Sequence, residues 1–238
     1  MNSEKCLTSD EDVCPQCKNT GWIYYTDSNG YEMGKICPCG IRERQILADR
    51  LKFADLPKSL AGIRLRDLKD VRFYNLEESR KTIINTAKVI KAWLERIDNM
   101  LKRGQGLYFY SNTKGSGKTS FAAAIANELM HEKHIACKFA TSTQIVQEIK
   151  GTWGKKDDSE SELLKDLARI PVLIIDDFGT ESVKDWISER FYSVMNDRYL
   201  NNKPTIITSN YSMDHLPYDE RIINRIKERC YELPFPEE

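Results

Sequence analysis

The sequence predicts an α/β protein: a parallel sheet covered by helices, preceded by a small cysteine-rich module. Five short apolar runs recur along the chain, and helical patterns separate them. Continuous apolar runs are typical of strands buried on both faces, and strands that alternate with helices favour parallel pairing. The module is predicted by the cysteines, because five of the seven lie within the first 39 residues.

Composition sets the broad class. The chain has 238 residues, of which 40% are hydrophobic and 30% charged, as in globular proteins. Lys+Arg and Asp+Glu are 36 each, so the net charge is zero. A neutral total argues against coating of nucleic acid by bulk charge, but it leaves a local basic patch open. No apolar run is long enough to span a bilayer, and the N-terminus lacks the apolar core of a signal peptide. We therefore expect a cytoplasmic protein with no membrane contact.

Changes in residue composition and apolar pattern along the chain indicate three regions. Residues 1–55 form the cysteine-rich module and a helix, 56–78 a linker, and 79–238 a regular α/β domain. From Ser79 to Arg103, apolar residues recur at steps of three and four, which predicts one helix of about 20 residues. The strands of the domain are predicted at residues 106–111, 135–140, 172–177, 205–210 and 229–234.

A glycine-rich loop between the first of these strands and a helix gives the strongest functional signal. Residues 111–120 read SNTKGSGKTS, which matches the end of the phosphate-loop pattern G-x-x-x-x-G-K-[ST]. Glycine lets backbone N–H groups cradle phosphate oxygens, and the helix N-terminus adds partial positive charge. Lys118 can reach the β- and γ-phosphates, and the Thr119 hydroxyl can ligate Mg²⁺. The candidate nucleotide-binding residues are Asn112, Lys114, Gly115, Ser116, Gly117, Lys118, Thr119 and Ser120.

One position departs from the pattern. Asn112 stands where the first glycine is expected. Asparagine is the non-glycine residue that best tolerates positive φ, so we expect the turn to survive. The alternative is a glycine-rich turn with a chance lysine, but the strand–loop–helix context favours a phosphate site.

Two acids and an amide follow the other central strands. Asp176 and Asp177 end the apolar run VLII, at the strand edge where open α/β sheets bind ligands. We predict that Asp176 binds Mg²⁺, directly or through water, and that Asp177 orients or deprotonates the attacking water. The alternative is a pair of loop acids after a core strand. Asn210 follows another strand and could bind the γ-phosphate or the water, although such residues usually just form a turn.

The cysteines favour a zinc site. Cys14 and Cys17 form one close pair, and Cys37 and Cys39 form a second. Two such pairs can enclose one tetrahedral Zn²⁺ as four thiolates, and a metal would supply folding energy that so short a module lacks. The alternative is free structural thiols. Cys6 is a less favoured ligand.

Together these motifs resemble the AAA+ P-loop ATPases of DnaC/DnaI-type bacterial or phage replicative-helicase loaders, with IstB-type transposition ATPases as close relatives. The resemblance covers CPQC…CPC, NLEESRKTII, the phosphate loop, the stretch from VLIIDDFG to TIITSNYS, and DERIINRIKERC. It implies a five-stranded parallel sheet of order 5-1-4-3-2, with Asn210 at the sensor-1 position between the other two motifs. It also implies that the C-terminal lid of most AAA+ proteins is missing, because FPEE follows the last strand.

The resemblance also implies an arginine finger. Arg225 best matches the residue that reaches a neighbouring subunit's γ-phosphate, and Arg221 is second. A planar, always-charged guanidinium suits charge on a transferring phosphoryl group. The alternative is two arginines one turn apart on a solvated helix. We therefore expect weak ATPase activity in the monomer, which rises on homo-oligomeric assembly or with DNA.

The implied function is that of an ATP-dependent loader. It would bind the hexameric replicative DNA helicase through the zinc module and deliver it to single-stranded DNA, with ATP, Mg²⁺ and Zn²⁺ as cofactors. Lys150, Trp153, Lys155 and Lys156 combine an aromatic ring with charge, as single-strand binding requires, although scattered lysines are also common on surface loops. Two alternatives stay open: an IstB-like transposition helper that binds duplex DNA, and an ATP-switched adaptor with little hydrolysis.

Overall fold

The computed structural model describes residues 13–70, 77–154 and 159–237. The chain divides into two compact units, with the boundary between Lys52 and Phe53. The limits 1–55, 56–78 and 79–238 inferred from the sequence stay a prediction.

The first unit is a small module built on a β-hairpin. Strands β1 (Trp22–Thr26) and β2 (Glu32–Ile36) pair antiparallel, and helix α1 (Ile41–Ala54) follows. A two-stranded hairpin is marginal on its own, so the module depends on what packs beside it. That core consists of four buried cysteine side chains together with Ile23 and Ile41.

The second unit contains a five-stranded parallel sheet. Its strands are β3 (Gly106–Tyr110), β4 (Cys137–Thr141), β5 (Val172–Asp176), β6 (Thr205–Ser209) and β7 (Cys230–Pro234). The order across the sheet is β4-β5-β6-β3-β7, and every pair is parallel. Read from the β7 edge, this is the order 5-1-4-3-2, so that expectation is confirmed. Strands β5 and β6 are buried along their whole length, which explains their continuous apolar sequences.

Seven helices accompany the sheet in the described part of this unit. They are α2 (Glu77–Glu95), α3 (Ile97–Arg103), α4 (Lys118–His131), α5 (Ser142–Thr152), α6 (Ser159–Arg169), α7 (Asp185–Leu200) and α8 (Glu220–Arg229). Helix α4 packs across β4, β5 and β6, and α7 packs against both α6 and α8. Thr141 and Gln144 form a capping box that starts α5 directly after β4. None of the described helices is long and apolar enough to cross a membrane.

The single helix expected from Ser79 to Arg103 is two helices. The chain leaves helical geometry at Arg96, where φ is −106° and ψ is 24°. Ile97 and Met100 are buried after this turn. The expectation was wrong because apolar steps of three and four continue across the turn, so the periodicity alone does not reveal it.

The segment ahead of α2 is attached to α4. The Asn127 side-chain amide donates to the carbonyls of Leu60 and Ile63, at 3.0 Å each. Arg64 lies 3.6 Å from Glu128 on the same helix. Because α4 begins at the glycine-rich loop, these contacts connect the preceding chain to the helix that carries the candidate site.

Close packing at the other end of the sheet requires a glycine. A Cβ atom on Gly106 would lie 1.9 Å from the carbonyl oxygen of Thr205, so no side chain fits at the start of β3.

The last described residues also join the core: Phe235 packs on Phe109 and Phe121, with ring centroids 5.1 and 5.3 Å apart.

Candidate functional site

A cleft of about 500 Å³ opens at the carboxyl edge of the sheet. Three sequence motifs meet there: the glycine-rich loop, the second of the paired acids and the amide after β6. Its lining residues are Lys114, Gly115, Ser116, Gly117, Lys118, Thr119, Ser120, Asp177 and Asn210. The strand order explains this meeting, because β6 lies between β5 and β3.

Two glycines give the loop its shape. Gly115 and Gly117 have φ of 78° and 97°, a region that favours glycine. Asn112 is not among the described residues with positive φ, so the loop turns without a left-handed residue at that position. Instead, the Asn112 N–H donates to the carboxylate of Glu237 at 3.2 Å. The substitution of the usual glycine is therefore tolerated for a different reason from the one expected.

Lys118 is folded back over its own loop. Its ammonium donates to the carbonyls of Ser111 and Thr113 at 3.0 and 3.2 Å, and to Ser116 Oγ at 3.2 Å. Burial lowers the pKa of Lys118 from its ordinary value, and the charge of Asp177 opposes that shift. An ammonium has three donors and no acceptor, so phosphate oxygens entering the cleft can replace these partners.

Asp176 lies behind the cleft with its carboxylate tied by two hydroxyl groups. Its Oδ1 accepts from Thr119 Oγ1 at 2.9 Å and from Thr208 Oγ1 at 2.6 Å. The residue is 4% exposed, and burial raises the pKa of Asp176 while the two hydroxyls oppose that rise. The Asp176 carboxylate and the Thr119 hydroxyl, which are in contact, supply the hard oxygen ligands that Mg²⁺ prefers. The residues present therefore fit a Mg²⁺ ion.

Thr208 is a site residue that the sequence analysis missed. Besides its bond to Asp176, its Oγ1 accepts from the Asp177 N–H at 3.0 Å. Its carbonyl accepts from the Phe178 N–H at 2.8 Å. Threonine two positions before Asn210 carries no motif of its own, and only the strand order shows which acids it meets.

The candidate arginines lie away from the cleft lining. Arg221 forms an ion pair with Asp219 at 2.9 Å and lies over the ring of Tyr192. Arg225 lies over the ring of Tyr199, 4.3 Å from its centroid. Since neither arginine lines the cleft of its own chain, their role as fingers stays a prediction.

The four predicted zinc ligands come together in the module. All four Sγ atoms lie within 4.8 Å of one another. Cys14 and Cys37 are 3.8 Å apart, and Cys17 and Cys39 are 3.6 Å apart. Four ligands at the usual Zn–S length of about 2.3 Å would be about 3.8 Å apart in a tetrahedron, so the cluster fits Zn²⁺.

The thiols of this cluster differ in how readily they ionise. A hydrogen bond from the backbone of Cys17 lowers the pKa of the Cys14 thiol to about 6, whereas burial raises the pKa of the Cys37 thiol to about 12. At Cys14 the thiolate, the form that binds metal, is therefore favoured without an ion. Cys6 lies outside the described residues.

A second cleft, of about 550 Å³, lies beside α5 and the start of α7. Trp153 and Trp186 pack edge to face there with ring centroids 5.1 Å apart, and Trp153 is 56% exposed. The Lys150 ammonium lies 5.8 Å from the Trp186 ring centroid, and Lys184 also lines this cleft. The sequence analysis found Lys150 and Trp153 but missed Trp186 and Lys184. Its other two candidates, Lys155 and Lys156, lie outside the described residues.

A family model now decides the relationship of the chain. The model of the IstB-like ATP binding protein matches residues 41–222. The chain belongs to this family. The match runs from α1 into α8 and includes the nucleotide cleft. ATP binding is therefore the property that the family assigns to this chain. The matched region begins just after the last cysteine of the metal-binding cluster, Cys39.

Comparisons with individual proteins agree with this assignment to the IstB-like family. The chain is 29% identical over 223 residues to the phage-like element PBSX protein XkdC of Bacillus subtilis, covering 91% of this chain and 79% of XkdC. It is 35% identical over 128 residues to the replicative helicase loader DnaI of Bacillus subtilis, covering 52% of this chain and 40% of DnaI. The solved structure of the DnaC helicase loader matches with a TM-score of 0.61 and 25% identity, covering 76% of this chain and 100% of that one. The AAA+ fold and the DnaC/DnaI-type resemblance are confirmed, although the chain covers less than half the length of DnaI.

Proposed function

We propose that this IstB-like protein is an ATP-dependent loader, which binds a hexameric replicative DNA helicase and delivers it to single-stranded DNA in the cytoplasm. The observation that carries this proposal is the convergence of Lys118, Thr119, Asp177 and Asn210 on one cleft, with Asp176 directly behind it. Similarity to proteins named as helicase loaders supports the choice of partner.

The residues of the cleft suit ATP hydrolysis. The loop amides and Lys118 would hold the phosphates, and Thr119 and Asp176 would hold Mg²⁺. When bound, the ion neutralises charge on the phosphate oxygens. Asp177 lines the cleft, where its carboxylate can orient a water and accept its proton. Asn210 can donate a hydrogen bond to the γ-phosphate or to that water.

Activity should be weak in an isolated chain. Among the described residues, the cleft lining offers Lys114 and Lys118 as cations and no arginine. An arginine supplied by a neighbouring subunit would complete the charge stabilisation, and such fingers accelerate phosphoryl transfer by about 10³-fold or more. This supports turnover that rises on assembly, with Arg225 as the first candidate and Arg221 as the second.

The tryptophan cleft suits single-stranded DNA. Trp153 and Trp186 offer aromatic faces on which bases can stack, and each stacked base contributes about 1–3 kcal/mol. Lys150 and Lys184 add positive charge for the phosphate backbone. Glu181 also lines this cleft, so the surface is not uniformly basic.

The cysteine module suits a docking role. Its described part is small, and its cysteine core would be held together by Zn²⁺. Tyr24 and Tyr31 on the hairpin are 74% and 69% exposed, which provides apolar surface for a protein partner. We propose that this module contacts the helicase.

A second candidate function is that of a transposition helper that assembles on duplex DNA. The match to the IstB-like family favours it, since the sequence motifs also resemble the IstB-type transposition ATPases. The two candidates share the nucleotide cleft and differ in partner.

Capture of the host's replicative helicase by the purified full chain, with and without ATP·Mg, tests the proposal. We expect ATP to strengthen capture, and Lys118→Ala to abolish both this effect and ATP binding measured by calorimetry. Lys133→Ala, at an exposed lysine just after the end of α4, is the matched control and should behave as wild type. Failure of the wild-type chain to retain the helicase under either condition would overturn the loader proposal, and ATP-dependent assembly on duplex DNA in its place would support the transposition helper.

A further inference from the structure

We propose that Thr208 is a positioning residue for both acids of the cleft: its single hydroxyl group sets the orientation of Asp176 for the metal and fixes the backbone of Asp177 for the water. The inference rests on the proposed ATP hydrolysis.

The hydroxyl of Thr208 both donates and accepts a hydrogen bond. It donates its one proton to Asp176 Oδ1 at 2.6 Å, and its oxygen accepts the N–H of Asp177 at 3.0 Å. Thr208 is completely buried, so water cannot take over either bond. Removal of the hydroxyl would leave a buried N–H without a partner and Asp176 with one donor fewer.

The carboxylate of Asp176 is thereby held in one rotation. Thr119 and Thr208 both donate to Oδ1, from α4 and β6 respectively. No hydrogen bond from another described residue occupies Oδ2, which stays available to a metal ion or its water. Thr119 is itself a candidate metal ligand and would turn toward Mg²⁺, so Thr208 is the donor that keeps Asp176 in place during binding.

The backbone at Asp177 needs a restraint. Its φ is 54°, a left-handed conformation that side-chain-bearing residues adopt rarely. The Thr208 hydroxyl holds its N–H, the Thr208 carbonyl holds the N–H of Phe178, and Ser209 Oγ donates to the Phe178 carbonyl at 2.7 Å. The end of β6 therefore fixes the turn that aims Asp177 into the cleft.

The hydroxyl at the other end of β6 has a different task. Thr205, three residues before Thr208, accepts through its Oγ1 from the buried guanidinium of Arg198 at 2.9 Å. Burial of a threonine on β6 thus does not by itself explain the contacts of Thr208. Its place one residue beyond the Ile175–Ile207 pair, at the carboxyl end of the strand and next to Asp176, does.

The test compares three variants of the full chain. Thr208→Val removes the hydroxyl at nearly constant shape, and Thr208→Ser keeps it. Thr86→Val is the matched control, because Thr86 is another buried threonine, whose hydroxyl donates to the Pro234 carbonyl at 2.9 Å. ATP affinity is measured by calorimetry with Mg²⁺ and again with EDTA, and steady-state turnover is measured against Mg²⁺ concentration.

We expect Thr208→Val to bind ATP in EDTA with an affinity within about twofold of wild type. The factor by which Mg²⁺ increases ATP affinity should be about tenfold smaller than in wild type, since hydrogen bonds to charged groups are among the strong ones. Turnover should fall by at least the same factor. Thr208→Ser and Thr86→Val should retain both properties within about threefold.

Two results overturn different claims. If Thr208→Val keeps the wild-type gain from Mg²⁺ and the wild-type turnover, the positioning role is wrong and the proposed ATPase stands. If the wild-type chain binds no ATP·Mg, the proposed function itself is wrong. Should the valine variant unfold, Thr208→Ser decides, because a packing role predicts a loss of the Mg²⁺ gain when the methyl group goes, whereas positioning predicts retention.

Discussion

Hydroxyl groups also organise the loop that follows the paired acids. Ser142 Oγ lies 2.9 Å from the Asp177 carbonyl and 2.5 Å from Glu181 Oε2. A hydroxyl has one proton, and a carbonyl and a carboxylate are both acceptors. Both contacts are hydrogen bonds only if Glu181 is protonated and donates to Ser142. Burial raises the pKa of Glu181 by more than the Ser142 hydroxyl and the nearby backbone N–H groups lower it. Its other oxygen is buried without a hydrogen-bond partner. Both facts favour the neutral acid.

This predicts a pH dependence that Glu181→Gln removes. Because the folded-state pKa of Glu181 lies above its unfolded value, its stabilisation is complete at low pH and is lost as pH rises through the folded-state pKa. The free energy of unfolding of the wild type should therefore fall, relative to Glu181→Gln, as pH increases above the ordinary glutamate range. Urea unfolding at a series of pH values measures the difference. Glu228→Gln, at an exposed glutamate, is the control, and parallel wild-type and Glu181→Gln profiles would contradict the prediction.

Residues differ in how far the sequence reveals them. Lys118, Thr119 and Asp176 could be predicted because their motif fixes residue type and spacing. Thr208 and Ser142 could not, since a hydroxyl at the end of a strand looks like an ordinary turn residue. Their partners lie on neighbouring strands far away in sequence, so only the order β4-β5-β6-β3 brings them together.

At the scale of elements, the sheet was predictable and the helix boundaries were less so. Buried parallel strands such as β5 and β6 carry unbroken apolar sequences that stand out between polar loops. The turn at Arg96 is hidden, because Ile97 continues the apolar spacing of α2. Periodicity reports which face is buried and is insensitive to a one-residue break.

The cysteine module makes an element-scale prediction. We expect one zinc per chain, and Cys14→Ser or Cys37→Ser to lose the metal and with it the structure of the hairpin, because the cysteines form most of the core. Metal analysis of fresh protein and the tyrosine NMR signals of β1 measure the two effects. Cys6→Ser is the matched control and should retain zinc. Wild-type protein with less than one zinc per chain, or an ordered hairpin in Cys14→Ser, would contradict this.

At the scale of the whole molecule, we propose that the nucleotide cleft and the candidate fingers serve different subunits. Helix α8 places the half-buried Arg225 against α7, where Tyr199 and Asn196 hold its guanidinium in one orientation. Arg221 is tied to Asp219 and is more exposed. A preoriented side chain loses less entropy on engaging a phosphate, which favours Arg225. In a head-to-tail assembly, one surface of each chain meets a different surface of the next, so cleft and finger come from separate chains.

Mixing variants tests this arrangement. Lys118→Ala and Arg225→Ala should each hydrolyse ATP at less than about a tenth of the assembled wild-type rate, because each lacks a group that we propose to contact the phosphates. A 1:1 mixture should recover roughly a quarter of the wild-type turnover, since a random head-to-tail assembly places an intact cleft beside an intact finger at one junction in four. Steady-state phosphate release measures the rates, and Arg221→Ala in place of Arg225→Ala shows which arginine complements. An Arg225→Ala chain as active as wild type would exclude Arg225. Inactivity of the mixture would show that cleft and finger act within one chain, because a residue needed in its own subunit cannot be supplied by a neighbour.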